Sequence, residues 1–178
     1  SWGRVQVTDL KIPTQNGQWL AADLFRPRTA TSANPAPLVV VVPGFQRSKE
    51  THANVAIELA RRGIVVINID PYAQGWSSSS LSRRSATDEG YGMFAVVNYV
   101  ADTGNLNYVD KTRIGVTAGA SAPESLVRQV ITRLQEKGGT SVEELKSVPE
   151  NMEFALPREL RLKIVDSGTG SSGSVNPA

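Results

Sequence analysis

The sequence predicts a three-layer α/β domain, with a mostly parallel sheet behind an N-terminal antiparallel hairpin. Three observations carry this. Val5–Pro13 and Trp19–Pro27 alternate in polarity and flank Asn16-Gly17, a dipeptide that closes tight hairpins. Leu38–Val42 and Ile64–Ile69 are short uncharged runs, as expected of parallel strands buried on both faces. Helical spacing separates the runs, so strands alternate with helices, and right-handed crossovers lay the helices on the sheet.

In chain order, Thr29–Pro37 is small, polar and proline-containing, and reads as a surface loop. Leu38–Val42 ends at Pro43-Gly44. Glu50–Arg62 is the first helix, with Val55, Ala56, Leu59 and Ala60 as its apolar face and Gly63 placed as a C-cap glycine. Ile64–Ile69 ends at Asp70-Pro71. Gln74–Gly90 is serine-rich, carries Arg83-Arg84 and Asp88-Glu89, and is the longest irregular loop. Met93–Val100 reads as a helix, followed by a polar loop and the strand Ile114–Thr117. Ser121-Ala122-Pro123-Glu124 then opens another helix. Ser121 suits the cap, Pro123 the first turn, and Glu124 completes a capping box. Leu126, Val127, Val130, Ile131 and Leu134 form its apolar face, and Gly138-Gly139 ends it. Val142–Val148 has no clear period, whereas Met152–Leu156 and Leu160–Ile164 alternate like short strands. Residues 1–166 thus form one domain, and the glycine–serine stretch 167–178 is expected to be a disordered linker-like tail.

Composition bounds the function. The chain of 178 residues is 40% hydrophobic and 20% charged, without a long uncharged run of membrane-spanning length. A net charge of +2 with scattered basic residues gives no footprint for nucleic acid. There is no cysteine, hence no disulfide, thiolate zinc or iron–sulfur cluster, and His52 is the single histidine. No cofactor or metal site is therefore expected. No signal peptide is visible and the chain starts at Ser1, as a processed or tag-cleaved protein would. It is expected to be soluble, and cytoplasmic if made without a signal.

Residues 1–117 resemble the N-terminal half of an α/β-hydrolase of the esterase and peptidase type. The resemblance lies in the hairpin and in Pro43-Gly44-Phe45 at the oxyanion loop. It continues through Lys49-Glu50, Arg62-Gly63, Ile69-Asp70 with Gly75-Trp76-Ser77, and the lead-in Val109–Gly115. Residues 114–165 are similar to the C-terminal segment of 4-hydroxy-3-methylbut-2-enyl diphosphate reductase, the LytB-like iron–sulfur family. That likeness rests on Ile114–Pro123, on Glu150-Asn151 with Phe154, and on Pro157–Arg161. Ile114–Thr117 suits both patterns and could be a common splice. The resemblances imply a truncated α/β-hydrolase-like fold closed by a reductase piece.

They also imply losses. The hydrolase pattern puts Ala120 at the nucleophile position, with Ser121 one residue late and Pro123 where a glycine belongs. Its acid and histidine would follow the serine, yet no histidine does. His52 reads as a solvated residue at the start of the first helix. The backbone N–H of Phe45 is an oxyanion-hole remnant, and Phe45 serves equally as packing. The reductase would need three cysteines, histidines and a glutamate upstream. Only Ser121 carries over, as a diphosphate contact, and the free N–H groups at Ala122 would accompany it in holding an anion. As a plain N-cap, Ser121 needs no ligand. Asp70 before Pro71 reads as a turn former rather than a triad acid, Ser77–Ser80 as a flexible polar loop, and Arg83-Arg84 as solvated.

The sequence therefore points to a chimera without catalytic function. One alternative is a weak serine esterase using Ser121. Another is a module binding inorganic phosphate or sulfate weakly at Ser121 and Ala122. An open sheet edge at Ile114–Thr117 would be covered by Met152–Leu156 or by a second copy, and a homodimer is the favoured expectation.

Overall fold

The computed structural model describes residues 2–14, 17–44, 46–78, 92–118 and 124–143. It divides into a unit Ser1–Val142, treated below, and a unit Glu143–Ala178, of which only Glu143 is described. The expected strands Met152–Leu156 and Leu160–Ile164 and the tail lie outside the described residues.

Among the described residues, five strands form one sheet in the order β1-β2-β4-β3-β5. β1 (Val5–Pro13) and β2 (Trp19–Pro27) make the antiparallel hairpin with the expected boundaries, in register from Val5↔Pro27 to Pro13↔Trp19. β2 then pairs antiparallel with β4 (Val65–Ile69), and β4 pairs parallel with β3 (Ala36–Val42). β5 (Val109–Ala118) runs parallel to β3 on its other side. The α-helices among the described residues are α1 (Ala53–Arg61), α2 (Met93–Asp102) and α3 (Glu124–Glu136).

The period of two along the strands sorts the core into two layers. Leu38, Val40 and Val42 of β3 join Val65, Ile67 and Ile69 of β4, and α2 covers them with Met93, Val96, Val97 and Val100, α3 with Val130. Val41 and Val66 face the other way, with Val5 and Phe25, and are covered by Ala56 and Ala60 of α1. Helices thus lie on both faces of the sheet, as the three-layer expectation required.

Several local expectations change. Val55 is 43% exposed, and α1 instead buries Ala56 and Ala60 with Ile57 and Leu59 beside them. The helix opens with a 3-10 turn, Lys49–His52, before becoming α-helical. Gly63 takes the left-handed C-cap role, with φ 90°, while Ile64 N–H donates to Leu59 O and Gly63 N–H to Ala60 O. The same pair of bonds recurs at Gly138, whose φ is 109°, so both glycine stops were legible in sequence. β5 begins at Val109, not Ile114. Between the partners Ala36↔Val109 and Leu38↔Ile114 the register shifts, and the polar residues expected as loop form an irregularity inside the strand. The Asp110 carboxylate folds it, accepting from Thr112 N–H at 3.0 Å, Thr112 Oγ1 at 2.6 Å and Arg113 Nε at 2.7 Å.

Candidate functional site at the carboxyl edge of the sheet

In an open parallel sheet, ligands bind outside the carboxyl ends of the strands, at the point where the strand order reverses. Here the order reverses about β3. The chain passes through α1 to β4 on one side, then returns through α2 to β5 on the other. Val42↔Ala118 is the last pair of the β3–β5 register, so the two strands end side by side. The sequence places Phe45, Ser121 and Ala122 at this edge. All three lie outside the described residues, as does Ala120. What is described is the frame on which they hang.

That frame converges on Lys49. Its ammonium donates to Asp23 Oδ2 at 2.9 Å and to Glu50 Oε1 at 3.3 Å. Its carbonyl accepts from Asn68 Nδ2 at 2.7 Å, and its N–H donates to Asp70 Oδ1 at 2.6 Å. Asp23 and Asn68 are cross-strand neighbours on β2 and β4, so two sheet positions and the end of β4 hold one residue at the start of α1. Upstream, Arg47 N–H donates to Gly44 O at 3.0 Å, and Gln46 sits at φ 59° within that turn. The segment leaving β3 is therefore closed by a turn at one end and clamped at the other.

Asp70 holds a second loop as well. Its Oδ2 accepts from Trp76 N–H at 2.9 Å, while Ser77 Oγ donates to Asp70 O at 2.6 Å. Ser77 Oγ also accepts from Ala21 N–H, and Ser78 Oγ from Trp19 N–H, which lashes the turn to β2. Ser77 and Ser78 are thus fixed structural residues rather than flexible polar ones, whereas Ser79 and Ser80 lie outside the described residues. Gly75 has no alternative here, because a Cβ would stand 2.1 Å from Asp70 Oδ2 and its φ is +51°. The turn-forming reading of Asp70 holds.

Burial pushes the Asp70 carboxyl above its ordinary range, aided by the nearby Glu50 charge. The two N–H donors and Lys49 pull the other way without cancelling it. For Lys49, burial pulls the ammonium down, but Asp23 and Glu50 outweigh it and the net direction is upward. His52 is half-buried rather than solvated, and its Nδ1 is buried with no hydrogen-bond partner. An imidazole without an orienting acid lacks the support that a general base needs. Among the described residues no group of three or more His, Asp or Glu side chains is placed to hold a metal ion, and no helix is long and apolar enough to cross a membrane.

Sequence reading missed Asp23 and the grip on Lys49. Asp23 and Asn68 are polar residues inside apolar strands, and a buried polar group demands a partner, which was the available signal.

The fold recurs in solved structures. The chain aligns with a bacterial heroin esterase at TM-score 0.60 and 18% identity, over 80% of this chain and 43% of that one. It aligns with an esterase from the archaeon Pyrobaculum calidifontis at TM-score 0.57 and 23% identity, over 75% and 40%. The fold is that of the α/β-hydrolases. At these identities the likeness is one of fold alone. A hypothetical protein from Pseudomonas aeruginosa is 26% identical at TM-score 0.53, over 64% of this chain and 35% of that one.

The sequence relatives are of another kind. The chain is 42% identical over 109 residues to 4-hydroxy-3-methylbut-2-enyl diphosphate reductase of Xylella fastidiosa, covering 61% of this chain and 34% of that protein. To the same enzyme of Vibrio cholerae it is 58% identical over 59 residues, covering 33% and 19%. The chain spans about a third or less of the length of the curated relatives it matches. Fewer than 109 residues follow Ile114, so the longer match also takes in residues upstream of β5's Ile114. No protein-family model matches the chain. Part of the chain is therefore reductase-like in sequence, while its sheet is hydrolase-like in fold.

Proposed function

We propose that this chain is a chimeric fold, engineered or recombined, that carries neither parental activity. The single supporting observation is that a hydrolase-like sheet and a reductase-like sequence share a chain whose 178 residues hold one histidine and no cysteine. A serine hydroxyl without a base is a poor nucleophile, and an iron–sulfur reductase without thiolates has nothing to hold its cluster. His52 precedes the serine, heads α1 and lacks an acid partner among the described residues. What remains is the scaffold: Lys49 and Asp70 still fix the two loops beside the switch point.

The test is turnover of p-nitrophenyl acetate. No saturable, Ser121-dependent rate above buffer is expected. A saturable rate abolished by Ser121→Ala would establish the weak esterase instead, with Phe45 N–H as its oxyanion donor.

A second reading is favoured by the short span from Ala118 to Glu124, which joins a strand end to the start of α3 at the ligand-binding edge. Ser121 and Ala122 lie in that span and would hold inorganic phosphate or sulfate weakly, since a helix terminus contributes only about 0.3–1 kcal/mol toward a charge. Phosphate-dependent thermal stabilisation, lost in Ser121→Ala and without ester turnover, would select it.

A further inference from the structure

The two edges of the sheet are built differently. β1 is an edge with safeguards: it is mostly exposed, carries Asp9 and Lys11, and ends at Pro13. β5 is the other edge, with β3 as its one strand neighbour among the described residues. Its charged part is confined to the irregularity Asp110–Arg113, where Lys111 is drawn off to the carbonyls of Ala101 and Thr103 and Arg113 to Asp110. From Ile114 to Ala118 the strand runs in unbroken register with β3 and has no charge, no proline and no bulge. Ile114 and Val116 continue the apolar strip of Leu38 and Val40, yet they are only half-buried where Leu38 is 0% and Val40 2% exposed. A row of main-chain donors and acceptors thus stands beside half-covered apolar side chains.

We infer that Ile114–Ala118 pairs antiparallel with the same segment of a second copy, about a two-fold axis at Val116. The residues are self-complementary in that register. Val116 meets its own twin, the large Ile114 meets the small Ala118, and Thr117 meets Gly115, which has no side chain to obstruct it. Matching faces require the register to move by whole pleats. One step one way brings Arg113 into the ladder, and one step the other way runs past Ala118, so the pairing centred on Val116 uses the whole uncharged stretch. A two-fold axis closes the assembly at two chains, joining two sheets along β5 and pairing the edge at which the described sheet ends. The inference stands on strand geometry and does not depend on how the chain arose.

Light scattering across a concentration range, with circular dichroism on every variant, tests it. The unaltered chain should pass from one-chain to two-chain mass as concentration rises. Thr117→Lys, a charge at an exposed position, should keep the one-chain mass over the same range. Because the chain has no cysteine, Val116→Cys supplies a single thiol facing its twin. It should oxidise to a covalent dimer faster than Val7→Cys, an exposed position on the opposite edge. One-chain mass at every concentration overturns the inference. So does a dimer that survives Thr117→Lys, or a Val116→Cys chain that cross-links no faster than Val7→Cys.

Discussion

Replacing Asp70 with alanine should be among the most damaging single changes to this fold. The side chain is fully buried and its two oxygens satisfy the N–H groups of Lys49 and Trp76, one on each loop at the carboxyl edge. Each stranded donor costs about 1–3 kcal/mol. Relief from burying a carboxylate, visible in its raised pKa, returns part of this. A net loss of about 2–4 kcal/mol follows, or about 5–15 °C in melting temperature for a domain of this size. Urea unfolding followed by circular dichroism measures it. Gly75→Ala supplies a second reading, because its new Cβ would collide with the Asp70 carboxylate. Most of the Gly75→Ala penalty should vanish in an Asp70→Ala background, leaving the strain of a positive φ. A loss below about 1 kcal/mol for Asp70→Ala, or strict additivity of the pair, would refute the reasoning. The pH dependence has a definite sign. A carboxyl held above its ordinary 3.8 binds its proton more readily folded than unfolded, so its stabilising contribution is fully present below that value and is lost as pH rises through the folded value. The stability advantage of the native chain over Asp70→Asn should therefore grow on acidification through this window.

Lys49→Met should cost about 1.5–3 kcal/mol, because it leaves the mostly buried Asp23 carboxylate without its ammonium. Denaturant melts read this, and Asp23→Asn should restore part of the loss. Asp110 carries the opposite pH sign to Asp70. Hydrogen bonds from Thr112 and Arg113 lower its pKa from 3.8 to about 2, so its contribution is present above 3.8 and lost as pH falls toward 2. An Asp110→Asn chain should lose that segment of its acid-denaturation curve and keep the rest.

The sheet was legible in the sequence because its signals are local. Alternating polarity on either side of Gly17 marked the hairpin, uncharged runs marked β3 and β4, and Gly63 and Gly138 stopped two helices through backbone conformations that other residues rarely adopt. Long-range polar contacts were not legible. Nothing near Lys49 in sequence says that Asp23, Asn68 and Asp70 all reach it, since these come from two strands that pair only in the folded chain. The exposure of Val55 was missed for a related reason: α1 meets the sheet through the small residues Ala56 and Ala60, which permit close approach and turn the larger side chain outward. Position at the switch point could be reasoned from strand order, whereas Phe45 and Ser121 lie outside the described residues.

The pairing of β5 with β3 has a consequence for how such a sheet could be recombined. β3 meets its neighbour through main-chain atoms, pair by pair from Leu38↔Ile114 to Val42↔Ala118. Those atoms are the same in every protein. A segment exchanged at β5 would therefore have to meet only a parity condition, an even or odd count of residues that keeps Val116 with the α2 and α3 layer and Gly115 beside Val39 on the α1 side. A strand offset by one residue would present the wrong face, while one offset by two would keep its faces with displaced loops. Parallel strands are thus permissive crossover points, because a productive cut has only to preserve the pleat.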